Sequence, residues 1–325
     1  FHPRINVIFG DNAQGKTNLL EAVAYLSSAS SHRARYDREL IQFGVDHAFV
    51  KGEVASRGRD FTLEASLHRG ARRQLLSNGV RLKNAGELAG ILNTVLFCPE
   101  DLYLIRAGAE ARRKFLDQCI CQLRPRYAVA LAEYKRLREH KTRILRDSAE
   151  HPDLLDTLDD FSLRMAQCGA ILVHYRAHFI KKLRQAAPPI HADCSGGRER
   201  LELEYRTVST VTDPEAPPKT LLPQLLDHQE SHRRAEIESR SCLSGPHKDD
   251  LSVSIDGCPA GAYASQGQTR TAALALKLAA RDIFYQDTQE WPVLLLDDVL
   301  SELDSRRQEF VLNRITSGQV FITCC

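Results

Sequence analysis

The spacing of hydrophobic residues changes along the chain and indicates where strands lie. Ile5–Phe9 and Val293–Leu296 are short and largely apolar, which is typical of buried strands in a parallel sheet. Residues 48–54 and 61–67 alternate between apolar and polar positions, which indicates antiparallel strands with one buried face. Asn78-Gly79 adds a hairpin signal. The pattern predicts an α/β region with an antiparallel β subdomain.

The middle of the chain has a helical pattern. Val95 to Phe97 reads as a buried strand leading to Pro99, and residues 100–185 then have helical composition. One side of a long helix carries apolar residues, namely Leu131, Tyr134, Leu137, Ile144 and Leu145. Residues 198–206 alternate again, and a proline-rich loop follows at 213–218. The prolines and the lack of sustained heptads predict a compact helical insertion instead of a long coiled coil.

A phosphate-binding motif lies between the first strand and the first helix. The motif G-x-x-x-x-G-K-[ST] and the residue after it are Gly10, Asp11, Asn12, Ala13, Gln14, Gly15, Lys16, Thr17 and Asn18. Backbone N–H groups at the helix N-terminus favour phosphate. Lys16 is expected to neutralise the β- and γ-phosphates, and Thr17 to ligate Mg²⁺. The alternative is a chance glycine turn, but the flanking strand and helix fit the motif.

Two adjacent carboxylates follow the apolar run near the other end. Asp297 and Asp298 come directly after Leu296, where parallel sheets place their ligand groups. We expect Asp297 to hold Mg²⁺ and Asp298 to polarise the attacking water, so that Asp298 and the phosphate-binding Lys16 are the catalytic candidates. The alternative is that one Asp caps the next helix, whose start is predicted near Ser301 to Asp304.

A third motif precedes a strong helix-forming segment. Ser265, Gln266, Gly267 and Gln268 stand before residues 271–280, and Ser265 and Gly267 suit a helix N-terminus that binds an anion. Because one phosphate loop already serves the subunit, this N-terminus is expected to contact the γ-phosphate of ATP held by a second copy. The alternative is an ordinary N-cap, which Ser265 alone can provide.

Charge and composition narrow the function classes. The formal net charge is +2, but residues 106–146 hold twelve Lys or Arg against four Asp or Glu. A local basic stripe suits contact with a nucleic-acid backbone, and it suits a solvated helix face as well. The DNA-binding candidates are Arg112, Arg113, Lys135, Arg136, Arg138 and Arg143. Nine scattered cysteines without a C-x-x-C pair indicate free thiols in a reducing cytoplasm, and the only metal expected is Mg²⁺ with ATP.

The three motifs in this order resemble those of ABC-type ATPases of the SMC class, and the chain is most similar to the RecF family of bacterial DNA repair and replication proteins. Beside the phosphate loop and D-D-x-L-S-E-L-D, the resemblance rests on residues 99–102, 112–117, 245–251 and 263–270. By comparison with the family, a leading strand is expected ahead of Phe1. The usual polar residues after the last strand are replaced by Cys324-Cys325, so both ends are expected to be trimmed.

The resemblance implies a fold and an activity. The expected fold is an ABC-type ATPase head, built from residues 1–98 and 240–325, with a mainly helical inserted lobe at residues 99–239. The expected activity is a weak, DNA-stimulated ATPase that forms a homodimer on binding ATP, with Asp304 at the dimer axis. For His247 and Lys248 the resemblance implies a place beside the ATP interface, whereas the residues alone fit a polar turn that closes a strand.

The resemblance also implies partners and a cellular role. The expected partners are double-stranded DNA, junctions of single and double strands, and the recombination mediator RecR. The expected role is recombinational repair at single-strand gaps and stalled replication, and in the SOS response. A cytoplasmic location is expected and no membrane partner, because no apolar run approaches the roughly 18 residues of a membrane span.

Three other functions compete with this interpretation. An ABC-transporter nucleotide-binding subunit is disfavoured by Ala264 before the signature and by the basic helical insertion. A module that binds ATP without hydrolysing it is disfavoured by the carboxylate pair. A small-molecule kinase leaves residues 265–268 unexplained.

Overall fold

The computed structural model describes residues 1–11, 13–34 and 36–324. Within them the chain forms eleven strands and eight α-helices, with short 3₁₀ helices between. The strands are β1 (Ile5–Phe9), β2 (His47–Ser56), β3 (Arg59–His68), β4 (Gln74–Ser77), β5 (Val80–Arg81), β6 (Thr94–Phe97), β7 (Leu201–Arg206), β8 (Asp250–Ile255), β9 (Cys258–Pro259), β10 (Val293–Asp297) and β11 (Val320–Cys324). The α-helices are α1 (Lys16–Ser28), α2 (Ala109–Leu123), α3 (Pro125–Asp147), α4 (Leu158–Ser195), α5 (Pro218–Ser239), α6 (Ala260–Tyr263), α7 (Gln266–Thr288) and α8 (Ser305–Arg314). The 3₁₀ helices are Asp37–Leu40, Ala85–Leu88, Pro99–Tyr103, Pro152–Thr157, Pro246–Lys248 and Leu300–Glu302.

Four parallel strands form the central sheet, in the order β1-β11-β10-β6. Val320 of β11 lies opposite Ile5 of β1 on one side and Leu294 of β10 on the other. Strands from opposite ends of the chain are therefore neighbours, and both predicted apolar strands are present. The predicted burial is confirmed for β10 but wrong for β1, because β1 is the edge strand of the sheet and Ile5, Val7 and Phe9 are exposed. The carboxyl ends of all four strands lie at one edge, which is where parallel sheets bind ligands.

The antiparallel sheet has the order β2-β3-β4-β5. Ala48 lies opposite Leu67, so the predicted pairing of the two alternating segments is confirmed. The inward residues of β3 pack on Tyr25 and Leu26 of α1. Between β4 and β5, Asn78 and Gly79 have φ angles of 50° and 75°, as a two-residue hairpin turn requires.

The helices include one of 38 residues, α4, which packs against α3, α5 and α7. At 1.5 Å per residue it is about 57 Å long. It continues through Pro188 and Pro189, ten residues past the predicted helical region, and ends at Ser195 before the left-handed Gly196.

One hydrophobic core extends from the central sheet into the helices. It joins Leu294 and Leu296 of β10 to Leu116 of α2 and Leu172 of α4. The third sheet, β7-β8-β9, also pairs strands from both predicted lobes. The division into lobes at residues 98 and 240 stays a prediction. No helix among the described residues combines the length and hydropathy needed to cross a bilayer.

Candidate nucleotide site and basic groove

The loop between β1 and α1 has the backbone of an anion cradle. Gly15 forms the N-cap of α1 with a left-handed φ of 85°, and Ala13 has a φ of 66°. Glycine suits position 15 because a side chain is strained at that φ. Gln14 and Asn18 are exposed beside it, whereas Asn12 lies outside the described residues. The first N–H groups of α1 therefore point to the carboxyl edge of the sheet, where phosphate is favoured.

Lys16 lies across this loop. Its Nζ donates to the backbone carbonyl of Asp11 at 2.8 Å and to that of Gly10. The ammonium group is thus held against the backbone of the phosphate loop. The predicted phosphate contact of Lys16 stays a prediction.

A hydrogen bond joins the phosphate loop to the carboxylate pair. Thr17 Oγ1 donates to Asp297 Oδ1 at 3.0 Å, across 280 residues of sequence. Asp297 is 4% exposed at the end of β10, and its Oδ1 also accepts from Thr323 Oγ1 at 2.8 Å. The sequence did not indicate Thr323, because its role depends on β11 lying between β1 and β10.

Asp298 occupies a different environment from its neighbour. It is half-buried and has a left-handed φ of 51°, an uncommon conformation for a residue other than glycine. Its N–H donates to Thr323 Oγ1 at 2.8 Å, and Ser301 Oγ donates to its carbonyl at 2.7 Å. Strained residues of this kind cluster at functional sites. The contacts of Asp298 with Thr323 and Ser301 therefore differ from those of Asp297, which binds Thr17 and Thr323.

These oxygen atoms fit the needs of Mg²⁺ bound with ATP. The cation takes oxygen ligands and usually combines one or two protein groups with phosphates and water. Thr17 Oγ1 and Asp297 Oδ1 supply two adjacent oxygens of this type. Across the described part of the chain, no group of three or more His, Cys, Asp or Glu could hold a metal by itself. The donor set thus suits a cation that arrives with a nucleotide.

The signature segment, residues 265–268, starts α7 at the surface. Ser265 is the N-cap: its Oγ accepts from the Gln268 N–H at 3.2 Å, and Gln268 Oε1 accepts from the Ser265 N–H at 2.7 Å. This capping box is the ordinary N-cap role that the sequence offers as the alternative for Ser265. Ser265 and Gln266 remain exposed, so the predicted contact with a second copy stays a prediction.

Asp304 is the N-cap of α8. It accepts from the Arg307 N–H at 3.0 Å and forms an ion pair with the Arg307 side chain. The Arg307 backbone N–H, helped by the guanidinium charge, lowers the pKa of Asp304. The helix start predicted at Ser301 to Asp304 is confirmed at its last residue: Leu300–Glu302 is a 3₁₀ turn, and α8 begins at Ser305 after the N-cap Asp304.

The six predicted DNA-binding residues occupy two kinds of position. Arg112 makes a two-pronged ion pair with Asp250 at 2.8 and 2.9 Å, and Arg113 donates to the Asp249 carbonyl. Both are partly buried and bind the protein's own groups, although Arg113 also lines the groove described below. Asp249 is itself buried against Arg176 at 3.1 Å. The other four predicted residues belong to α3.

Lys135, Arg136 and Arg138 of α3 line a groove of about 1260 Å³, whereas Arg143 is exposed outside it. The opposite wall carries Arg72, from the loop between β3 and β4, and Lys83, from the loop after β5. Among the described residues, nine Lys or Arg and four Asp or Glu line this basic groove. Sequence patterns could not indicate Arg72 and Lys83, because they meet α3 only in the fold.

His247 lies in the 3₁₀ turn Pro246–Lys248, just before β8. Its ring is within 2.7 Å of the Tyr134 hydroxyl and 3.0 Å of the Cys242 carbonyl. Burial lowers the pKa of His247 to about 4. The structure thus places His247 in a polar turn that precedes a strand, and its predicted role beside ATP stays a prediction.

Comparisons with known proteins agree with this geometry. The family described as the RecF/RecN/SMC N-terminal domain matches residues 1–325. A DNA replication and repair protein RecF from Agathobacter rectalis is 39% identical over 325 residues, which are all of this chain and 86% of that protein. One from Listeria welshimeri is 40% identical, over 99% of this chain and 87% of that protein.

Solved structures give the same result. A structure described as the recombination mediator protein RecF with ATP in the RecFOR pathway has a TM-score of 0.91 and 34% identity, over 100% of this chain and 86% of the other. An Smc head domain from Pyrococcus furiosus has a TM-score of 0.50 and 16% identity, over 99% of this chain and 83% of that one, which shows a shared fold. The predicted ATPase-head fold is thus confirmed, and the chain belongs to the RecF family.

Proposed function

We propose that this chain is an ATP-binding protein of DNA replication and repair that hydrolyses ATP and closes on DNA as a dimer. Two copies hold ATP between them, the closed dimer retains DNA, and hydrolysis releases it. Relatives named for DNA replication and repair, and a similar structure described with ATP in the RecFOR pathway, support this role.

One observation carries the proposal. Thr17 of the phosphate loop and Asp297 after β10 share a 3.0 Å hydrogen bond, although they come from opposite ends of the chain. Their pairing brings a phosphate cradle and a cation-binding carboxylate to one point at the carboxyl edge of the sheet. A glycine turn without function gives no reason for Asp297 to be buried beside Thr17.

Within one subunit, each group has a distinct role. The loop N–H groups and Lys16 bind the phosphates, and Thr17 and Asp297 bind Mg²⁺, which supplies charge neutralisation when present. Asp298, held by the left-handed turn, orients and polarises the attacking water.

Across the dimer, the exposed signature segment completes the partner's site. Ser265 and Gln268 contact the γ-phosphate held by the other copy, and Asp304 lies near the dimer axis. Helix α7 supports this role because its N-terminus is exposed and carries the positive end of the helix dipole. ATP thereby links two copies, and its hydrolysis separates them.

The basic groove provides a DNA-binding surface. Lys135 and Arg136 on one wall and Arg72 and Lys83 on the other are exposed, so they can contact phosphates without breaking the buried ion pairs. Double-stranded DNA and junctions of single and double strands are the proposed ligands, with weak ATPase activity stimulated by DNA. The proposed setting is cytoplasmic repair of gaps and stalled forks, and the SOS response, together with RecR.

Sedimentation with and without ATP tests the proposal. Lys16→Met removes the charge that binds the phosphates, so this variant is expected to stay monomeric at ATP concentrations that dimerise the wild type. Lys219→Met, an exposed change of the same kind on α5, is the control and should dimerise normally. A Lys16→Met protein that dimerises with ATP like the wild type would refute the ATP-bridged dimer.

Adding duplex DNA to the same runs separates the competing functions. The proposed clamp forms a larger complex with DNA only when ATP is present. A passive ATP-binding module is expected to dimerise without releasing phosphate. A transporter subunit is expected to show no change with DNA.

A further inference from the structure

The side chain of Arg307, on α8, joins the two elements that the proposed dimer needs. Its Nη2 donates to the Gly267 carbonyl at 3.0 Å and to Thr271 Oγ1 at 2.8 Å, and its Nε donates to Thr271 Oγ1 at 3.0 Å. Its Nη1 forms the ion pair with Asp304. One guanidinium therefore binds the signature segment and the N-cap of α8 at the same time.

The contact is closely packed. Thr271 is 1% exposed, and Arg307 itself is half-buried. A Cβ atom on Gly267 would lie 3.3 Å from Arg307 Nη2, which is closer than an ordinary van der Waals contact. The glycine of the signature segment thus lets the guanidinium approach the backbone of α7. Hydrogen bonds of a charged donor in such a setting are stronger than those of an exposed ion pair.

The start of α8 is in turn attached to Asp298, the proposed water-polarising residue. Gln308 Nε2 donates to the carbonyls of Leu300 and Leu303 at 2.8 and 3.0 Å, and Ser301 binds Asp298. These bonds fix the short segment between Asp298 and α8. A continuous set of contacts therefore leads from Asp298 through Arg307 to Gly267.

We infer that Arg307 is a positioning residue that holds the signature segment and Asp304 in one fixed arrangement, so that both meet the partner copy together. The inference rests on the proposed ATP-bridged dimer and deepens it. It also gives the subunit's own carboxylates a structural link to the segment that completes the partner's site.

The shape of the arginine side chain is part of this role. A guanidinium presents several N–H donors in a rigid plane and can bind Thr271, Gly267 and Asp304 at once. The ammonium of a lysine keeps the charge but lacks the planar fork. Arg307→Lys should consequently retain the ion pair with Asp304 and lose most of the alignment of α7.

Three variants test the inference. Arg307→Ala removes the bridge, Arg307→Lys removes the fork, and Arg306→Ala changes an exposed arginine one position earlier on the same helix. For each, ATP affinity is measured at protein concentrations where the wild type is monomeric. The ATP-dependent dimerisation constant and the protein concentration that gives half-maximal hydrolysis are then measured by sedimentation and phosphate release.

The expected result separates binding within a subunit from contact between subunits. Arg307→Ala should bind ATP as the wild type does, but dimerise about tenfold or more weakly, since it loses several charged hydrogen bonds. The dimerisation constant of Arg307→Lys should lie between those of Arg307→Ala and the wild type. Arg306→Ala should dimerise like the wild type. In the Arg307→Ala monomer, amide exchange at residues 267–271 should be faster than in the Arg306→Ala monomer.

Two outcomes would overturn the inference. If Arg307→Ala dimerises like the wild type, the signature segment is positioned without it. If Arg307→Ala loses ATP binding as a monomer, Arg307 supports the nucleotide site or the whole fold instead of the dimer surface. Failure of the proposed function is distinguishable from both, because then the wild-type protein itself does not dimerise with ATP.

Discussion

Asp297 and Asp298 are adjacent in the chain but differ in burial and hydrogen bonding. Asp297 is buried and accepts two hydroxyl hydrogen bonds, from Thr17 and Thr323. Asp298 is more exposed and is held by a left-handed backbone. The difference supports the proposed roles, in which the first carboxylate binds the cation and the second contacts water.

The exchange Asp298→Asn tests this assignment. The amide keeps the size of the side chain but cannot polarise water, so ATP still binds and hydrolysis should fall by about a hundredfold or more. The dimer formed with ATP should then persist for hours on a sizing column. Measuring phosphate release alongside the column separates slow hydrolysis from weak binding.

Asp297→Asn is the matched comparison, because it alters the neighbouring carboxylate by the same chemistry. It should weaken binding of Mg²⁺ with ATP, so that dimers form only at higher nucleotide and Mg²⁺ concentrations. The assignment is wrong if the two variants behave alike, or if Asp298→Asn hydrolyses ATP at the wild-type rate.

At the scale of elements, the Pro246–Lys248 turn is held by His247 between α3 and the chain before it. The pKa of His247 is lowered to about 4 by burial, against about 6.5 in an unfolded chain. Between these values the unfolded chain binds a proton that the folded protein excludes. The contribution of His247 to the free energy of unfolding should therefore be complete above pH 6.5 and decrease as the pH falls towards 4, by up to about 3 kcal/mol.

Urea denaturation at pH 7.5 and pH 4.5 measures this dependence. His247→Asn cannot take up the proton, so its loss of stability between the two pH values should be smaller than that of the wild type. His151→Asn, at an exposed position, is the control and should lose as much as the wild type. Equal losses in all three proteins would show that other groups cause the acid sensitivity.

Elements whose signals are local were predicted from the sequence, and contacts between distant elements were not. The strand β1, the hairpin at Asn78-Gly79 and the N-cap Ser265 depend on residues next to them, and all three are present. Thr323 and Arg307 carry no local signal, because each acts on a segment that the fold brings to it from elsewhere in the chain.

Helix α4 shows where a local rule was overridden by packing. Two consecutive prolines cannot donate the backbone bonds of a helix interior, and each is normally a reason to end a helix. The last turns of α4 nevertheless bury Ala187, Ile190 and Cys194 in the main core. Burial of these side chains offsets the two missing bonds, which a reading of residues alone could not include.

At the scale of the whole molecule, the basic residues of the stripe at 106–146 have two different roles in the fold. Arg112 and Arg113 are partly buried and join α2 to the strand β8 and the turn before it. Lys135, Arg136 and Arg138 face the basic groove, with Arg72 and Lys83 opposite. The number of basic residues in 106–146 is therefore larger than the number that can contact DNA. The groove adds Arg72 and Lys83, which lie outside that segment.

Charge reversal separates the groove from the rest of α3. The double change Lys135→Glu and Arg136→Glu should weaken binding to duplex DNA, and the plot of log affinity against log salt should become shallower by about 2, since roughly 0.9 is lost per phosphate contact. Arg72→Glu with Lys83→Glu on the opposite wall should act in the same direction. Each affinity is measured by fluorescence anisotropy with ATP over a series of salt concentrations.

The pair Arg143→Glu and Arg146→Glu provides the matched control, because both residues are exposed on α3 outside the groove. It changes the net charge by the same amount, so any loss caused only by long-range repulsion appears there too. If DNA follows the groove, this control keeps the wild-type salt slope. If instead the control flattens the slope and the groove variants do not, the DNA path runs along the far end of α3, as the predicted role of Arg143 implies.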